Sequence, residues 1–227
     1  MKKTFYKEIA FIIAMFTNSL AISLLVKSVF GVSTLSSLPL VLSKIFNSIS
    51  FGMMNFGVQS LLLVILICIT RQPKFSYIIS FIIAFVFGVL VDLFDVLVAP
   101  LTAGLVFRVI YFFSGWVLIS FGAALFINSS MPLMPFDGFI KDLSVFLKVS
   151  VKKVKTTCDL IFVSSAVILS LCFLKQLVGV GVGTIFMALF TGSLTQYFID
   201  QLQSKYQFVA KTNVGKKLEE IAAIKTK

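Results

Sequence analysis

The chain has 227 residues, 59% of them hydrophobic, and a net charge of +11. Soluble domains hold about 45–50% apolar residues, so this excess, with a mean hydropathy of +1.05, excludes an ordinary water-soluble domain. Histidine is absent, and the three cysteines (Cys68, Cys158, Cys172) stand outside any CxxC pattern, which excludes a His/Cys metal site and a Ser/His/Asp triad. No cofactor or metal is expected, and the chain is not expected to be an enzyme. The positive charge does not point to nucleic acid, because no basic helix or RNA-binding aromatic motif accompanies it.

The apolar residues fall into long uninterrupted runs, and a bilayer needs about 20 of them per crossing. Met1–Glu8 carries Lys2, Lys3 and Lys7 ahead of the first run. That run is too long for a signal peptide and lacks a small-residue cleavage site, so it reads as a retained span. Six spans are expected: Ile9–Phe30, Met53–Thr70, Phe75–Val98, Leu101–Ile127, Thr156–Leu174 and Leu177–Leu202. Charge then orients them. With the N-terminus cytoplasmic, sixteen Lys and Arg fall on inside segments and three (Lys27, Lys44, Lys175) outside, a strong positive-inside bias. Both termini are therefore expected in the cytoplasm of a bacterial cell, with the chain multi-pass in its membrane.

Two connections are long enough for short helices. In Pro135–Leu147, Phe136, Phe139, Ile140, Leu143 and Leu147 recur at helical spacing, opposite Asp137, Lys141, Ser144 and Lys148. This reads as an interfacial or re-entrant helix. Ser33–Asn47, interrupted by Pro39, is a second candidate to dip into the membrane. The tail after Gln203 is polar and Lys-rich, and reads as a solvated end or a short surface helix around Lys216–Ile224.

The element order repeats: span, short helix, span, span, then the same again. At a shift of 104 residues Ala84 meets Ala188, Gly88 meets Gly192, Leu90 meets Leu194 and Phe94 meets Phe198. At a shift of 101, Leu24 meets Leu125, Gly31 meets Pro132, Leu42 meets Leu143 and Ser43 meets Ser144. An odd number of spans per unit inverts the second unit, the plan of many secondary transporters. The expected fold is all-α and integral to the membrane: six transmembrane helices in two inverted three-span repeats (9–98 and 101–202). A short N-terminus (1–8) and a basic tail (203–227) flank them.

The stretch Asn18–Leu42 resembles the first half of YczE/YitT-like small bacterial membrane proteins. Met131–Gly138 is similar to their central Pro-x-Asp turn, and Val178–Thr184 with Gly192 resembles their final span. The resemblance runs from about Asn18 to Phe198 and implies a bacterial membrane protein of six spans, with no established substrate. Thr34-Leu35-Ser36 departs from the family's acidic first-half turn.

Charges and amides inside spans are the candidates for chemistry, because their burial in lipid is costly. Asp92, Asp95 and Arg108 lie near the turn between the third and fourth spans. An Asp92–Arg108 ion pair pinning those spans is favoured over a gate or an anion contact. Asp137, close to Pro135, suits a helix start better than a ligand site. Asn18, Gln59 and Gln196, like Asn55 and Asp159, either line a cavity or bond between helices. Gly179, Gly181 and Gly183 lack the Lys-Ser/Thr end of a phosphate loop. They read as helix-packing positions, as do Gly88 and Gly192.

The expectation is a small secondary transporter or permease for an unknown small molecule. A substrate-binding membrane subunit of a larger complex and a non-transporting accessory protein are the alternatives. Beyond the lipid bilayer and that solute, a homodimer and an ATPase-bearing partner remain open as partners.

Overall fold

The computed structural model describes residues 2–71, 75–102, 104–131, 134–212 and 215–216. Its elements in chain order are β1 (Lys3–Tyr6), α1 (Lys7–Ser28), α2 (Thr34–Ile45), α3 (Phe51–Thr70), α4 (Phe75–Val98), α5 (Leu105–Ser129), α6 (Pro135–Leu147), α7 (Val151–Leu169, continued by a π turn over Ser170–Leu174), α8 (Val182–Lys205) and β2 (Tyr206–Val209). Six of the helices are long and apolar enough to cross a membrane, and α2 is a shorter apolar helix. The chain is a multi-pass membrane protein. The expected tail helix around Lys216–Ile224, Lys74 and the Pro132 match lie wholly or partly outside the described residues.

Several span ends differ from the sequence reading, each for a local reason. α7 begins five residues before Thr156, because the Ser150 hydroxyl accepts from Lys153 N and caps it. Its lysines can follow the helix inward while their long stems keep the ammonium groups near polar surroundings. α8 begins at Val182 instead of Leu177, since Gly179 takes a left-handed φ of 73° and Gly181 is extended. Two short strands were not anticipated. β1 and β2 pair in parallel, Lys3 opposite Tyr206, and hold the chain's start beside the end of α8.

α1 and α5 form the central antiparallel seam. Gly115 lies against Leu25 and the Ala21 carbonyl, and Gly122 against the Asn18 amide. A side chain at either position would collide, so the glycines set the interhelix distance. α4 packs beside α1, and α8 beside α5. α2 and α6 each lie against both α3 and α7. α6 is enclosed between the second half of α3 (Leu63, Leu66) and the first half of α7 (Val154, Cys158, Phe162). Its Asp142 accepts from Tyr77 Oη of α4 at 2.6 Å, and Ser144 of the expected polar face is buried.

Local hydrogen bonds recur between the halves. Ser28 Oγ donates to Leu25 O (2.6 Å) and accepts from Phe30 N (3.3 Å). Ser129 Oγ donates to Phe126 O (2.7 Å) and accepts from Met131 N (3.4 Å). Ser19 bonds Met15 O as Ser120 bonds Trp116 O, and Ser43 bonds Leu40 O as Ser144 bonds Lys141 O. All these pairs stand 101 residues apart. Ser50 and Ser150 cap α3 and α7 alike, 100 apart.

One relation is not repeated. α3 and α4 pack closely, with the Gly52 carbonyl against Gly88, and α4 also reaches α6. α7 and α8 are not packed against one another, nor is α8 against α2.

Candidate functional site

The gap between α7 and α8 is a cavity of about 520 Å³. Its wall combines Lys155 and Asp159 of α7, Ser33 and Thr34 at the start of α2, Ile119 and Ile127 of α5, and one face of α8. Lys155 Nζ lies 2.9 Å from Asp159 Oδ2. Thr34 Oγ1 donates to Asp159 Oδ1 at 2.8 Å. Lys155 also stands 5.7 Å from the centre of the Phe136 ring, at the first turn of α6. The first turns of both short helices thus converge on one stretch of α7. Helix starts carry partial positive charge and unpaired N–H groups, so the Asp159 carboxylate is held by a hydroxyl, an ammonium and a helix end together.

The α8 wall is polar and incompletely bonded. The Thr191 hydroxyl is buried and has no partner among the described residues. Thr195, 9% exposed, stands on the same wall. An unmet buried hydroxyl costs about 1–3 kcal/mol, which a bound solute would relieve. In water an i,i+4 pair such as Lys155–Asp159 is worth about 0.3–0.5 kcal/mol, weak enough for a charged or zwitterionic solute to compete for either partner. The site therefore offers an ammonium, a carboxylate, two hydroxyls and an apolar floor. It offers no metal-ligating cluster among the described residues.

The sequence candidates scatter. Gln196 lines this cavity and donates to Asp200 at 2.8 Å. Gly192, expected to pack, lines it too, with nothing within 4 Å of where a Cβ would stand. Asp137 keeps an edge open to solvent beside the same charges. As expected for a helix start, Pro135 is in the first turn of α6 with Asp137, although the carboxylate makes no capping bond.

Asp92 and Arg108 form no ion pair, which corrects that expectation. Asp92 caps α3 instead, accepting from Gly52 N at 2.7 Å and Ser50 Oγ at 2.5 Å. A helix start only two residues from Ser50 attracts the carboxylate more closely than a long side chain on another span. Arg108 and Asp95 border a shallow pocket of about 260 Å³ with Lys27 at the opposite end of α1 from β1. Asn18 is taken up by the central seam, donating to Ala14 O at 2.9 Å. Gln59, 1% exposed in α3, leaves its Oε1 without a partner, as does Asn55 its Oδ1.

Gly88 packs on Gly52, whereas Gly179, Gly181 and Gly183 serve a backbone seam more than a helix pair. Gly183 N donates to Phe30 O, Val32 N to Gly179 O, and Thr184 Oγ1 to Val32 O, at 2.9–3.0 Å. A Cβ at Gly31 would stand within 3 Å of Gly181 N and Thr184.

Lys155 and Thr34 were missed as site residues, and Asp159 was weighed only as one polar group among several. The available signal was the i,i+4 spacing of Lys155 and Asp159, hidden by starting the fifth span at Thr156.

The model of the family described as "Family of unknown function (DUF6198)" matches residues 5–200. No curated protein and no solved structure matches the chain.

Proposed function

We propose, for a chain that belongs to the family of unknown function DUF6198, that the cavity between α7 and α8 is the solute site of a small secondary transporter or permease. The observation that carries this reading is the convergence of Lys155, Asp159 and the Thr34 helix start on a 520 Å³ space lined by transmembrane helices. Transporters commonly place such sites where half-helices begin near the bilayer midplane. In this reading α2 and α6 are those half-helices, dipping into the membrane from opposite sides.

The halves are an inverted repeat, supported by the hydrogen bonds that recur 101 residues apart. The end bearing β1 and β2 faces the cytoplasm, supported by the distribution of Lys and Arg. A place among YczE/YitT-like proteins of the bacterial cytoplasmic membrane fits the same plan.

The test is a thermal-shift screen of the purified protein against a metabolite library, run in parallel on Lys155→Gln and Thr195→Val. A metabolite that stabilises the wild type, and loses its effect in either variant, is the expected result. A stabilising metabolite indifferent to both variants places the site elsewhere.

A further inference from the structure

We infer that Asn55 and Gln59 belong to a second solute site, closed in this structure, whose ligand donates hydrogen bonds through an amine, amide or hydroxyl group. The inference rests on the transporter reading and extends it to the other half of the chain.

The correspondence is set by matched bonds. With Ser50 and Ser150 as equivalent caps, Lys155 falls on Asn55 and Asp159 on Gln59. On α8, the cavity-lining Ala188, Thr191, Gly192 and Thr195 fall on Ala84, Phe87, Gly88 and Val91 of α4 at the 104-residue shift. Those four α4 residues are buried, whereas Ala188 and Gly192 are exposed. The same surfaces are therefore parted in one half and joined in the other.

Where they are joined, the interface is incomplete. Asn55 Oδ1 and Gln59 Oε1 are buried on the α3 face that continues from Gly52, and neither oxygen has a partner among the described residues. Residues 52, 55 and 59 share that face by their helical spacing. Two orphaned carbonyl oxygens accept and do not donate, so the missing partner carries N–H or O–H groups. Asp159, at the equivalent place in the open cavity, is also an acceptor. One donor-bearing solute can meet both sites in turn.

The closure has a latch. Asp92 bridges from α4 to the start of α3 through Gly52 N and Ser50 Oγ. On α8 its counterpart is Gln196, which turns to Asp200 on its own helix. Alternation then means that α4 leaves α3 as α8 closes on α7.

The experiment uses the full chain in proteoliposomes, with Cys68, Cys158 and Cys172 changed to Ser and one new cysteine, Ala84→Cys or Thr195→Cys. A membrane-impermeant maleimide is applied from each side. Thr195→Cys is expected to react from the side of the termini, and Ala84→Cys from the other. Adding Asp92→Asn should speed Ala84→Cys labelling about fivefold, the population shift expected from weakening one capping carboxylate, and slow Thr195→Cys. Ser50→Ala weakens the latch independently, should Asp92→Asn not fold. Ethanolamine or glycerol should slow Ala84→Cys labelling in the latch variant, while acetate, an acceptor at neutral pH, should not.

Ala84→Cys silent from both sides in every background overturns the second site, even if solute uptake is intact. Protection by acetate alone, or by none of the three, overturns the ligand class. Labelling as expected without any uptake overturns the transporter reading and leaves the alternation standing.

Discussion

Asp137 and Thr191 separate chemistry from scaffolding at the scale of single side chains. Asp137 is exposed in the first turn of α6, where no side chain caps the helix. Asp137→Asn should therefore change folding stability by no more than about 0.5 kcal/mol, read as a melting temperature in detergent; a clear loss would mean that the carboxylate holds a structural partner. Thr191→Val removes a buried hydroxyl that has no partner among the described residues, so it should leave folding stability unchanged or raise it by up to about 1 kcal/mol while weakening ligand-induced stabilisation. A destabilised Thr191→Val would show the hydroxyl already satisfied inside the protein.

Pairs of helices behave according to which glycines they share. At Gly122 a Cβ would stand 2.5 Å from Asn18 Nδ2, so the buried Asn18 amide would have to leave its bond to Ala14 O. Gly122→Val should therefore lower stability by about 1–3 kcal/mol, the usual cost of overpacking, measured by heat or denaturant unfolding in detergent. Gly57→Ala, with open space around it, should be neutral or gain up to about 1 kcal/mol from helix propensity. Gly88 and Gly192 offer the sharper contrast. They match in sequence, yet Gly192→Leu should fold normally and fill the cavity, whereas Gly88→Leu should force α4 from α3. Equal melting temperatures for those two variants would contradict the asymmetry between the halves.

These elements also show why sequence reading reached so far and no farther. Hydrophobic run length exposed the six spans, because a bilayer imposes that length on any crossing helix. Gly88 and Gly192 match at the 104-residue shift, but identical residues cannot say that one is packed and the other open. The Asp159 site escaped because its parts come from Thr34 and residues about 120 positions later, joined only when α2 folds back against α7. Lys155 was read as a loop charge for want of the Ser150 cap. The Asp92–Arg108 pair failed for the converse reason: opposite charges on adjacent spans invite pairing, but the N–H groups opening α3 lie closer.

As a whole, the molecule is organised around the α1–α5 seam, and β1 pairs with β2 beside the end of α8. A reporter fused after β2 and one fused before β1 should fall on the same side of the membrane, and the positive-inside rule predicts that side to be the cytoplasm. Opposite sides would break the six-span account.

The most direct test of that account is uptake. Proteoliposomes holding the wild-type chain are incubated with a mixed metabolite pool, and their contents are read by mass spectrometry beside vesicles holding a Lys155→Gln, Thr195→Val chain. The account predicts that one chemically related set of solutes enters the wild-type vesicles and not the variant's. Contents identical to those of protein-free vesicles, with the wild-type protein folded and inserted, would contradict it.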